Sequence, residues 1–136
     1  MERELREALD RIHEGGQLQG ADVFRFQGDQ NFVTAVRFWF KQYRITFLAD
    51  AEEDKVTVEC GLVAIEDEGE WVDVSGQPGW SECIGGEAAW AWCMTNQCGY
   101  TDAVRIELEL PNDRGSRIVE FVVVASAFRF FMASEF

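Results

Sequence analysis

The segment Phe32–Leu62, FVTAVRFWFKQYRITFLADAEEDKVTVECGL, decides the fold because large apolar side chains recur in it at every second position. A period of two places alternate side chains on opposite faces of an extended chain. Two polar breaks, at 41–42 and 51–54, have the composition of turns. The pattern therefore predicts a meander of three antiparallel strands, namely Phe32–Phe40, Tyr43–Ala49 and Val56–Leu62.

The N-terminal segment has a helical period instead. Its apolar residues form one stripe at helical spacing, and these are Leu5, Ala8, Leu9 and Ile12. The pair Gly15–Gly16 supplies the residues that commonly end a helix. The sequence thus predicts a helix over residues 1–14 that packs on the sheet through this stripe.

The remaining chain alternates again in several short runs. Further strands are predicted at Glu87–Thr95, Val104–Leu110 and Ile118–Ala125. Asp22–Gln27 and Trp71–Val74 are short candidates, and Phe128–Met132 either extends the preceding strand or forms a last edge strand. The predicted fold is α+β, with the N-terminal helix on a strongly twisted antiparallel sheet of about six or seven strands, curled toward a half-barrel. No repeat or linker interrupts residues 1–136, so a single domain is expected.

Acidic charge is the strongest global property of this chain. The net charge is −13, and the segment 50–73 alone holds ten carboxylates against one lysine. Such a field repels nucleic acid and anionic membranes, so neither is expected as a partner. Two interpretations stay open: a solubilising surface, which is the preferred one, or a field that attracts a basic protein.

The location of the protein is inferred from what the sequence lacks. No apolar run approaches the ~20 residues that span a bilayer. The N-terminus is charged and has no apolar core of a signal peptide. A cytoplasmic protein is therefore expected, with its four cysteines present as reduced thiols.

The segment Trp90–Asp102, WAWCMTNQCGYTD, concentrates unusual residues in a predicted hairpin. Strict alternation places Trp90 and Trp92 on one face with Ala88 and Met94. It also places Asp102 on the apolar face of the next strand, where a carboxylate needs a partner. Asn96, Tyr100 and Asp102 form either a network that fixes the turn, which is preferred, or a ligand-binding cluster. The network predicts that Asp102→Ala costs a few kcal/mol of stability.

Trp71 and Trp80 lie in a polar, acidic segment with little periodicity to bury them. Exposed Trp beside carboxylates suits a cationic ligand or basic protein. The preferred alternative is that both side chains fold down and close the end of the sheet. The candidate binding residues are thus Trp71, Trp80, Trp92, Asn96, Tyr100 and Asp102.

Several kinds of chemistry find no support in the sequence. There is no C-x-x-C pair for zinc, and the lone His13 lies at a helix end without a nucleophile nearby. Phosphate-binding and dinucleotide fingerprints are also missing. No catalytic residue, metal or cofactor is predicted.

The pattern W-x-W-x-x-T-N-x-x-G-Y-x-D-A, residues 90–103, followed by an alternating strand, resembles a family of small bacterial single-domain proteins of unknown function. The resemblance runs from about Phe32 to Phe128. It implies no activity, substrate or catalytic residue.

Two functions are consistent with these residues. The first is a non-enzymatic binding module that engages a basic protein through its acidic face and the loop of Trp71 and Trp80, in the manner of an antitoxin-like or immunity-like inhibitor. The second is a small-molecule pocket, conceivably enzymatic, at the end of the sheet around Trp92, Asn96, Tyr100 and Asp102.

Overall fold

A computed structural model describes residues 2–29, 31–61, 65 and 68–135. Met1, Leu62, Glu66 and Asp67, which the predictions also cover, lie outside the described residues. The described chain contains one α-helix, α1 (Glu2–Asp10), and two 3₁₀ turns, Ile12–Gly15 and Ser81–Cys83. Its strands are β1 (Leu18–Phe26), β2 (Val33–Phe40), β3 (Arg44–Asp50), β4 (Lys55–Cys60), β5 (Gly69–Asp73), β6 (Glu87–Thr95), β7 (Thr101–Glu109), β8 (Ser116–Val124) and β9 (Ala127–Glu135).

The strands form two antiparallel sheets. The first has the order β4-β3-β2-β1-β5 and the second the order β6-β7-β8-β9. The predicted meander is present as β2, β3 and β4, with Val36 opposite Phe47 and Phe47 opposite Val58. β4 and β5 are consecutive in the described part of the chain but occupy opposite edges of their sheet.

The hydrophobic core lies between the two sheets. Phe38 and Phe47 from the first sheet meet Phe121 from the second, with ring centroids 6.0 and 5.1 Å from that of Phe121. All three side chains are fully buried. The sheets therefore stack face to face, as in a sandwich.

Helix α1 adds its predicted apolar stripe to this core. Leu5 and Leu9 of the helix are buried, and the helix contacts β4 and β6. Each of these strands is an edge strand of its own sheet. The helix thus covers one side of the sandwich, where its apolar face excludes water from both layers. The prediction that the helix continues to residue 14 was wrong, because α1 ends at Asp10, and the buried Ile12 lies in the 3₁₀ turn that follows. Across the described ranges, no helix combines the length and apolar character needed to cross a membrane.

The α+β class and the antiparallel arrangement agree with the sequence, but the predicted sheet was wrong in size and shape. The described residues form nine strands in two layers, rather than about six or seven in one sheet curled toward a half-barrel. Alternation identifies a strand and its buried face, but it carries no information on which distant strand lies beside it. The change of sheet falls in the irregular segment 74–86.

Candidate functional site

The β6–β7 hairpin is built around the side chain of Asn96. Its Oδ1 accepts hydrogen bonds from the backbone N–H groups of Cys98, at 2.9 Å, and Tyr100, at 3.3 Å. Its backbone N–H donates to the carbonyl of Tyr100 at 2.9 Å. Gly99 has a φ of +87°, the left-handed conformation that glycine adopts without steric cost. Asn96 thus organises the turn through its amide group.

Asp102 completes this turn. Asn96 Nδ2 donates a hydrogen bond to Asp102 Oδ2 at 3.2 Å, and the carboxylate is half-buried. The β6–β7 register shifts here, since Thr101 lies opposite Thr95 and Ala103 lies opposite Met94. Asp102 is therefore the extra residue of a β-bulge, which re-aims a side chain relative to strict alternation. Strict alternation assigned Asp102 to the apolar face because it takes no account of this extra residue.

Replacing Asn96 by Ala is expected to destabilise the protein more than replacing Asp102 by Ala. Asn96→Ala removes three side-chain hydrogen bonds and should cost about 1–3 kcal/mol. Asp102→Ala removes one bond of a half-buried carboxylate and should cost about 0.5–1.5 kcal/mol, which is less than the few kcal/mol predicted from the sequence. Urea denaturation of the two variants measures both values. Equal costs, or the reverse order, would show that the carboxylate and not the amide holds the turn.

A second irregularity in β6 determines where its Trp side chains lie. Ala88 lies opposite Leu108, and Trp90 lies opposite Glu107, so Ala89 is an extra residue in β6. Beyond it, Ala91 and Cys93 lie opposite the buried Ile106 and Val104 and pack against the core. Trp90 and Trp92 consequently face outward, with 62% and 45% of their surface exposed. The prediction that Ala88 shares their face was wrong, because Ala88 is buried on the other side of the bulge.

The outward side of the second sheet carries a further exposed aromatic side chain. One cross-strand row runs through Trp92, Arg105, Glu120 and Phe131, so it spans all four strands. Arg105 Nε lies 3.2 Å from Glu120 Oε1 in the middle of this row, and Phe131 at its end is 54% exposed. We call Trp90, Trp92 and Phe131 the outer aromatic face. At strand spacing, Trp92 and Phe131 are about 14 Å apart.

Trp80 lies elsewhere, in the core. It is 7% exposed, and its ring centroid is 6.0 Å from that of Phe38 and 5.4 Å from that of Phe130. This is the arrangement expected of a residue that closes the space between the sheets. The described geometry gives Trp80 no exposed face for a partner.

Trp71 lies on the edge strand β5, and its ring already contacts a guanidinium group and another aromatic ring of the protein. The Arg37 guanidinium carbon is 4.0 Å from the Trp71 ring centroid, and Phe24 packs edge-on against the same ring at 5.5 Å. Arg44 lies in the same way 3.9 Å from the centroid of Trp39. Among the described residues, no guanidinium lies over Trp90 or Trp92. These two indoles therefore remain open to an external cation.

The structure brings Trp92, Asn96, Tyr100 and Asp102 together on one hairpin and separates them from Trp71 and Trp80. Tyr100 is 42% exposed beside the turn. Sequence reasoning did not select Trp90 or Phe131 as binding residues. The shared parity of Trp90 with Trp92 was a usable signal, and so was the shared parity of Phe131 with Arg129, which indicates a solvent-facing side of its strand.

Within the described ranges, no three or more His, Cys, Asp or Glu side chains gather closely enough to hold a metal ion. The four cysteines are free thiols. Cys83 is buried in the core, and this burial raises the pKa of its thiol to about 11, so it stays protonated at neutral pH. A protonated thiol is a poor nucleophile.

The fold and the site define a small acidic α+β domain with an open aromatic sheet face. The chain belongs to a family of unknown function, DUF6334, whose model matches residues 1–136. This confirms the resemblance to a family of unknown function and extends it beyond Phe32–Phe128 to both ends of the sequence. No curated protein and no solved structure matches the chain.

Proposed function

We propose that this protein is a non-enzymatic binding module that engages a basic protein partner through the outer aromatic face, as an inhibitor or immunity protein does. The observation that carries the proposal is the pair Trp90 and Trp92, side by side and largely exposed on β6. Single exposed apolar residues need no explanation, but two neighbouring exposed indoles on one strand form a patch that is typical of an interaction surface. Trp is also the residue type most enriched at the energetic centres of interfaces.

The charge around this face favours a cationic partner. Glu107 lies opposite Trp90, and the exposed Glu87 and Glu109 are paired at the same end of the hairpin. An indole ring attracts Lys or Arg by a cation–π interaction, and nearby carboxylates strengthen this attraction. The net charge of −13 would in addition accelerate encounter with a basic protein. We place this function in the cytoplasm, where the free thiols would stay reduced.

A small-molecule pocket around Trp92, Asn96, Tyr100 and Asp102 has weaker support. The Oδ1 and Nδ2 atoms of Asn96 are both engaged within the hairpin. A ligand there would have to replace the hydrogen bonds that hold the turn.

The proposal is tested by a pull-down from native lysate, at low salt and at ~0.5 M NaCl, where the Debye length falls to a few Å. The bait variants are Trp90→Ala/Trp92→Ala and, as a matched control, Phe26→Ala, which removes another exposed aromatic residue on the other sheet. We expect a protein of high isoelectric point, bound by the wild type and by Phe26→Ala at low salt and released by salt. Its Kd for the double Trp variant should be at least about 30-fold weaker, as for the loss of one hot spot.

Circular dichroism must first show that the double variant is folded. The proposal fails if the folded double variant retains the partner with unchanged Kd, or if no basic protein is recovered at either salt concentration.

A further inference from the structure

A second surface is a groove of about 900 Å³ between α1 and the β3–β4 hairpin. Its floor is apolar and is formed by Ala8, Ile45 and Val58. Ile45 is buried, whereas Ala8 and Val58 are partly exposed and rest on the core. Water at the bottom of this groove therefore contacts apolar surface, and its displacement by an apolar side chain is favourable.

The rim of the groove is acidic. Glu4, Glu7 and Asp10 line the helical side, Glu59 lines the strand side, and all four are exposed. Arg11 also lines the groove, and its Nε lies 3.3 Å from Glu14 Oε2. Glu7 is paired with Arg3, whose Nε lies 3.2 Å from Glu7 Oε1, so Glu4, Asp10 and Glu59 are the rim carboxylates offered to a partner. An apolar floor between carboxylates is complementary to a segment with apolar side chains on one side and Lys or Arg on the flanks.

Tyr43 forms an uncharged wall of the groove. The Tyr43 hydroxyl donates a hydrogen bond to the Arg11 carbonyl at 3.2 Å, and its ring packs edge-on against Phe40. Burial, with a smaller contribution from Cys60, raises the Tyr43 pKa to about 12, so the phenol stays neutral below that pH. Gly15 permits this packing, because a Cβ there would lie 2.5 Å from Tyr43 Cε1.

We propose that this groove receives a basic amphipathic segment of a protein partner, with its apolar side chains on the floor and its Lys or Arg side chains on the rim. Amphipathic segments bind apolar grooves in this way in many peptide-recognition proteins. The groove is lined by α1, β3 and β4, and the outer aromatic face by β6 and β9, so the two surfaces are separate. The proposal does not depend on the function of that face.

Cys60 provides a reporter, because its exposed thiol lines the groove. An environment-sensitive fluorophore on Cys60, in a Cys93→Ser/Cys98→Ser background, would report entry of a peptide. The probe is a 14-residue synthetic peptide of Leu and Lys with one apolar helical face. The controls are the same peptide with Glu for Lys, and one with Ser for Leu. We expect saturable binding of the Leu/Lys peptide alone.

Two matched charge reversals then locate the binding. Glu4→Lys/Glu59→Lys changes the rim, and Glu52→Lys/Glu70→Lys changes the net charge equally at exposed positions away from it. We expect the first to weaken binding at least about 10-fold and the second to have a much smaller effect, because exposed distant charges are screened. Val58→Trp, which fills the groove without changing charge, should abolish binding, whereas Trp90→Ala/Trp92→Ala should not affect it.

The proposal is overturned if the Lys/Ser peptide binds as tightly as the Leu/Lys peptide, if the two charge reversals weaken binding equally, or if folded Val58→Trp still binds. Absence of saturable binding to the wild type would overturn it as well. Each variant is first compared with the wild type by circular dichroism.

Discussion

Replacing Asp22 by Ala is expected to lower the free energy of unfolding by about 3–5 kcal/mol, as for other buried ion pairs that lose one partner. Asp22 Oδ2 accepts hydrogen bonds from Arg37 Nη2 at 2.6 Å, from Arg37 Nε at 3.1 Å and from Trp39 Nε1 at 2.7 Å. The Arg37 and Asp22 side chains are only 9% and 15% exposed. The substitution would leave a guanidinium and an indole N–H in a poorly hydrated environment without their acceptor.

The double variant Asp22→Ala/Arg37→Met distinguishes this cause from a general loss of packing. It removes the charge together with its partner, and the Met side chain keeps much of the contact with Trp71 that Arg37 makes. We expect it to recover most of the lost stability, since an apolar replacement of a buried ion pair is often nearly neutral. Guanidinium denaturation of both single variants and the double variant gives the coupling energy. A double variant as unstable as Asp22→Ala would contradict this account.

Phe121→Ala is expected to have an effect of similar size, about 3–5 kcal/mol, through a different mechanism. Phe121 is fully buried and contacts Phe38 and Phe47 across the sheets, as well as Phe128 and Phe130 on the neighbouring strand. Its truncation would leave a cavity where the two layers meet. A loss of this size approaches the whole stability of many domains.

Phe131→Ala is the matched control, because it deletes the same side chain from the same hairpin. Phe130 lies opposite Phe121, and Phe131 follows it with its ring on the outward side, 54% exposed. Thermal unfolding should show a Tm close to that of the wild type for Phe131→Ala and a much lower Tm for Phe121→Ala. Similar Tm values for both variants would mean that Phe121 does not join the sheets as described.

The local structure of the chain was largely predictable from its sequence. The period of two identified β2, β3 and β4 to within two residues, and it correctly placed Val104, Ile106 and Leu108 in the core. The preferred prediction for Asn96 and Asp102, a network at the turn, agrees with their hydrogen bond, because such bonds are local requirements of a turn. These features depend on neighbours in sequence, so a single sequence contains the information.

The arrangement of the layers was not predictable in this way. β5 pairs with β1, about fifty residues earlier, rather than with β4. The alternation of side chains in β5 would be the same beside either strand, so it does not identify the neighbour. The environments of Trp71 and Trp80 are also set by residues that are distant in sequence. One meets Arg37 of β2 and the other meets Phe130 of β9, and nothing in the segment 71–80 distinguishes these two environments.

The extra residue Ala89 has a consequence for sequence length. Because side chains alternate, one extra residue shifts the pairing of every later position by one and so exchanges the two faces of the strand. If the same β6 sequence paired with β7 without this bulge, Ala89 would lie opposite Glu107, and the two indoles would lie opposite Ile106 and Val104, in the layer that Ala91 and Cys93 fill. The bulge, and not the chemistry of the indole ring, therefore places the Trp90 and Trp92 side chains on the surface. Deletion of Ala89 would remove the bulge and keep Trp90 opposite Glu107, so a strand shorter by this one residue would present the same two indoles to a partner.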